Sequence, residues 1–193
     1  FRSNRKGNKL FLFAVQEFRG KVDYPSSGWK ADVYLKTLVR SLAFNTNRGS
    51  FVKDKVLQGK MEIVYDDALG VIEVKPRTLN IGEDPFIIGA KFNIAKDPTE
   101  FTITVEARSI LWRNASALLA ANIRSRLDMF NLDKPIAAKC IIDGDMGSGG
   151  DPSILVNASV KGNRLTSPGG IVDNCSFSGI YTNNFINGKG YTD

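Results

Sequence analysis

Residues 101–106, Phe-Thr-Ile-Thr-Val-Glu, alternate apolar and polar side chains without a break. A two-residue period sends successive side chains to opposite faces of a strand, so this segment asks for one buried face and one wet face. The same texture surrounds it. Met61 to Tyr65 and Val71 to Lys75 flank Asp66-Asp67-Ala68-Leu69-Gly70, a short polar connection ending in glycine, which predicts a hairpin. Leu10 to Val15, Phe86 to Ile94 and Ala137 to Ile142 also read as strands, the second ended by Lys96-Asp97-Pro98-Thr99. No apolar run approaches the roughly 20 residues of a membrane helix.

Two segments carry a helical period instead. Over about 30–44, Leu35, Leu38, Val39 and Leu42 fall on one helical face, with Pro25-Ser26-Ser27-Gly28 before it and Asn45 to Gly49 after it. Over about 115–130, Leu119, Ile123, Leu127 and Phe130 form a second stripe, with Asn114 or Ser116 placed to cap it. Residues 144–193 differ again: they hold 10 of the 18 glycines, six Asn and six Ser, with only short apolar islands. The expected fold is therefore α+β, an antiparallel β-sheet with two amphipathic helices and a Gly/Asn-rich, loop-dominated C-terminal region. A β-sandwich with a miscast helix is the alternative. The expected divisions are a basic arm at 1–9, a core at 10–143 and the polar region at 144–193, packed on the core or on a partner.

The chain of 193 residues contains no histidine. That removes imidazole bases, Ser-His-Asp and Cys-His nucleophile systems and His-containing metal sites. Cys140 and Cys175 are too few and too widely spaced for a zinc site or a CxxC redox motif. The acidic pairs Asp66/Asp67 and Glu83/Asp84 sit at predicted turns, where neighbouring acids are usually solvated. No P-loop, G-x-S-x-G or G-x-G-x-x-G occurs. These observations favour a non-catalytic protein.

Charge divides the chain: residues 1–60 carry a net +9 and the remainder a net −3. Such a split points to an anionic partner or an acidic neighbouring subunit. Arg2, Arg5, Lys6 and Lys9, widened by Lys36 and Arg40, are the candidate anion-binding residues, with nucleic acid as one partner they suit. Asp143, Asp145, Ser148 and Asp151, separated by glycines, resemble the start of a calcium loop but lack its closing glutamate, and a surface turn accounts for them as well. Tyr181, Phe185, Asn183 and Asn184 combine rigid aromatic area with amide hydrogen bonding, as ligand-contact loops do. Three N-x-S sequons, at Asn114, Asn157 and Asn174, are about what this Asn and Ser content produces by chance.

The sequence thus predicts a structural or assembly subunit of a surface filament, appendage or virion. It would dock through its basic N-terminal region on other subunits, as a homo-oligomer or larger assembly, in an extracellular, cell-surface or virion setting. The alternatives are a ligand-binding domain, of the calcium-dependent glycan-binding kind, and a nucleic-acid-binding protein. The start at Phe1 is read as a processed or trimmed end, and the residues after it do not form a signal peptide.

Overall fold

A computed structural model describes residues 2–3, 9–46, 50–119, 121–147 and 151–183. Strands make up 70% of it. They are β1 (Arg2–Ser3), β2 (Leu10–Asp23), β3 (Gly28–Ala43), β4 (Lys55–Asp66), β5 (Val71–Ile81), β6 (Asp84–Asn93), β7 (Glu100–Ile110), β8 (Asn131–Leu132), β9 (Ile136–Asp145), β10 (Ser153–Ser167) and β11 (Gly170–Thr182). Two short helices, α1 (Trp112–Ala117) and α2 (Ala121–Leu127), lie between β7 and β8. The strands form one antiparallel sheet in chain order, β1 to β7 and then β9, β10 and β11, with β8 added beside β10. No described helix is long and apolar enough to cross a membrane.

The predicted hairpin is present as β4 and β5, and the strands expected near 10, 86, 101 and 137 are β2, β6, β7 and β9. Two expectations are corrected. The segment 30–44 is not a helix but most of β3, a strand of 16 residues. Its leucine stripe coexists with a two-residue period: Trp29, Ala31, Val33, Leu35, Thr37 and Val39 alternate with Lys30, Asp32, Tyr34 and Lys36. Pairing on both sides, with β2 and β4, selects the strand, which β-branched Val33, Thr37 and Val39 also favour. The second helix is confined to α1 and α2; α1 starts after Leu111 without a side-chain cap, while Asn114 donates to the Asp84 carboxylate instead.

The second correction concerns the C-terminal region. Its described part is not loop-dominated but a long hairpin, β10 and β11, turned by Pro168-Gly169 between the paired residues Ser167 and Gly170. Ile154, Val156, Ala158 and Val160 supply its apolar period, and the Asn and Ser residues between them face the other way. The chain is therefore β-rich and fits the sandwich alternative better than α+β.

Cross-strand partners share a face, so the registers define both faces. One row runs Val22, Ala31, Ile63, Val74, Ala90, Ile103, Ile142, Ile154 across eight strands, every member apolar. The adjoining row, one residue away, runs Asp23, Lys30, Val64, Glu73, Lys91, Thr102, Asp143, Ser153. A shift of one residue thus exchanges an oily row for one that is polar apart from Val64. This offset fixes which way the sheet must curl.

The apolar face is the inside of the curl. Phe11 and Leu42, from one end of the sheet, pack with Phe101, Ile142 and Ile154 from the other end, around Phe44, which is 1% exposed. Phe44 lies 5.4 Å from Phe101 in a stacked arrangement and 5.4 Å from Phe11 edge-on. A second cluster, Ile81, Phe86, Ala107, Ile110, Leu132, Ile136 and Val160, lies under Trp112, Ala115 and Leu118 of the α1 region.

Candidate functional site

The concave face carries an apolar row drawn from eight strands. Burial along it is uneven. Ala31 on β3, Ile142 on β9 and Ile154 on β10 are buried, whereas Ile63, Val74, Ala90 and Ile103 between them are half-buried. On β2, the side chains of Val15, Phe18 and Val22 are 56%, 65% and 48% exposed, although their partners Thr37, Leu35 and Ala31 place them on this same face. On β11, Phe177 and Tyr181 face the same way opposite Val160 and Val156, and both are exposed. The apolar lining therefore reaches solvent at both sides of the curl. Near the β2 side, Trp29 and Tyr65 form an aromatic pair with ring centroids 5.9 Å apart. Tyr65 also donates to Asp67, and that hydrogen bond chiefly holds its hydroxyl above its ordinary pKa.

Glycine opens the β3 end of this lining. Gly28 has φ of +119°, and a Cβ there would stand 2.0 Å from the Tyr65 carbonyl oxygen, so no other residue fits where β3 begins against β4. Cys140 lies on the same face between Val105 and Val156, and burial pushes its thiol up to about 11. Cys175 lies on β11, with β10 intervening, and both thiols are free.

The polar face is organised by ion pairs. Glu62 accepts from Arg77 and pairs with Lys30 at 3.2 Å, and these cations, Arg77 first, hold its carboxyl below the usual range. Arg19 pairs with Glu17 and lies 4.9 Å from the Tyr34 ring centroid. Part of the positive charge of the first 60 residues is thus matched within the sheet. Over β7, β9, β10 and β11 the polar side holds an open depression of about 440 Å³, lined by Glu106, Arg108, Lys139, Asn157 and Ile180 among others.

The basic candidates separate. Lys9, 9% exposed, donates to the carbonyl oxygens of Asp145 at 2.5 Å and Gly147 at 2.8 Å, clamping the start of β2 to the end of β9. Lys36 faces the polar side opposite Glu17, and Arg40 is exposed on β3 near its end. Arg2 is paired by its backbone in β1 opposite Leu12, while Arg5 and Lys6 lie outside the described residues.

The acidic candidates each have protein donors. Asp143 accepts from the Thr102 hydroxyl at 2.5 Å, Asp145 accepts from the Gly147 amide at 2.7 Å and pairs with Lys9 at 3.7 Å, and Asp151 accepts from Asn45 at 2.8 Å. Ser148 lies outside the described residues, and no group of three or more metal-ligating side chains occurs among those described. Of the ligand candidates, Asn183 fastens the end of β11, accepting from the Ile154 amide at 2.7 Å and donating to the Pro152 carbonyl at 2.8 Å. Tyr181 is 61% exposed on β11, whereas Asn184 and Phe185 lie outside the described residues.

Sequence reasoning did not single out Trp29, Tyr65, Phe18 or Val22 as a common surface. Each was visible as an apolar residue at alternate positions, but their meeting requires the register between strands. No protein family, curated protein or solved structure matches the chain.

Proposed function

We propose that the chain is a non-catalytic interaction domain whose working surface is the concave face, and that this face receives an elongated apolar ligand such as an acyl chain. The observation that carries the reading is the unbroken apolar row across eight strands, continued at the β2 side by exposed Phe18 and Val15. An apolar face left partly in water favours whatever removes it from water, at about 25 cal/mol per Å². A face lined along its length by aliphatic side chains suits a chain better than a compact polar ligand, which needs converging polar groups.

Trp29 reports on this directly. In a Trp112→Phe background, a brominated fatty acid is expected to quench Trp29 saturably, and the unbrominated acid to reverse the quenching. Quenching no greater than that of free tryptophan amide would remove the reading.

A second reading, a subunit of an assembly, is favoured by a different observation. Both sides of the sheet end in long strands: among the described residues the strand pairing stops at β11 on one side and at two-residue β1 beside β2 on the other. Unpaired edges are the usual sites of strand addition. With Lys9 engaged internally, docking in this reading runs through backbone edges more than through the basic N-terminal residues.

A further inference from the structure

We infer that the partner at the β11 edge is a second copy of this chain, paired antiparallel through β11 of each copy about a two-fold axis. The inference rests on the assembly reading and is independent of ligand binding.

The two edges differ in how they are guarded. β2 carries Glu17, Arg19, Lys21 and Asp23, charges that discourage pairing at an edge, whereas the β2–β3 and β10–β11 pairings alike contain two register shifts. β11 carries one charge, Asp173, which is already paired with Arg164, and it has neither lysine nor proline. Its regular stretch, which begins at Phe177, exposes Phe177, Ile180 and Tyr181.

Direction then selects the partner. From β2 to β11 the path holds nine strands with every neighbour antiparallel, so β2 and β11 point the same way. Continuing the sheet with its apolar face on one side allows two arrangements. β11 against β2 of another copy is parallel; β11 against β11 is antiparallel with a two-fold axis normal to the sheet. Antiparallel pairing is the more stable and more common, and two-fold dimers are the commonest assemblies. In that pairing the two Asp173 side chains fall at opposite ends, so no like charges meet. Phe177 and Tyr181 of both copies then extend one apolar face.

The 13 residues of β11 span about 44 Å at about 3.4 Å each, and an edge about 10 Å thick covers about 440 Å² per copy. The total, about 900 Å², is below the roughly 1,200 Å² at which stable specific interfaces begin, so the dimer is a weak one expected to dissociate on dilution.

Light scattering coupled to size-exclusion chromatography, across micromolar concentrations, tests this. The expected result is a monomer–dimer equilibrium that Ile180→Lys combined with Tyr181→Lys weakens at least tenfold, while Val22→Lys on β2 leaves it unchanged. Amide exchange of the unaltered chain adds an arm that needs no variant: amides in 175–181 should exchange more slowly as concentration rises. A monomer at every concentration overturns the inference and leaves ligand binding untouched. A dimer indifferent to the β11 substitutions, or one lost with Val22→Lys alone, also overturns it while keeping assembly through another surface.

Discussion

Thr37 shows how strict the concave face is. It is 2% exposed between Val15 and Leu57, and its hydroxyl has no hydrogen-bond partner among the described residues. An unpartnered buried hydroxyl carries a desolvation cost that an apolar isostere does not. Thr37→Val is therefore expected to stabilise the fold by about 1 kcal/mol, seen as a raised denaturant midpoint with an unchanged slope. A fall in the midpoint would mean that the hydroxyl has a partner. This position was legible as one of the alternating residues of 29–39, but its depth was not: only the pairing of β3 on both sides makes it central.

Among the elements, β2 and β3 needed context most. Leu35, Leu38, Val39 and Leu42 fit a helical stripe as well as parts of a strand, and local pattern alone does not break that tie. The tie is broken by β2 and β4, whose own periods match β3 over nearly its whole length. Lys9 then locks the start of β2 across the curl to the carbonyls that end β9. Lys9→Met keeps the apolar stem but removes both hydrogen bonds, and is expected to cost about 1–3 kcal/mol in urea unfolding. An unchanged midpoint would show that the aromatic cluster around Phe44 closes the curl unaided. In the sequence Lys9 belonged to a basic run and suggested an anionic partner, because a cation's true acceptors, here two backbone carbonyls more than 130 residues away, leave no local trace.

For the whole molecule, the separation of an apolar face from a charged one decides how binding should respond to solution conditions. Ligand held by the concave face is removed from water by a non-directional effect that salt screening does not weaken. The affinity measured by Trp29 quenching is thus expected to change less than twofold between low salt and about 0.5 M salt. Binding to an anionic polymer through the basic N-terminal half would instead fall by orders of magnitude over that range. A steep fall would move the working surface to the polar face, towards Lys36 and Arg40.

Strands with one oily face were legible locally in the middle of the chain, at residues such as 101–106 and 61–75, because a two-residue period is a local property. The sequence also set the chemistry available, since no histidine is present. That 29–43 and 153–182 join the same sheet, and that Val22 and Ile154 end one apolar row, emerges from the pairing between strands. A strand is completed by its neighbours' hydrogen bonds, and register between strands is written in no single segment.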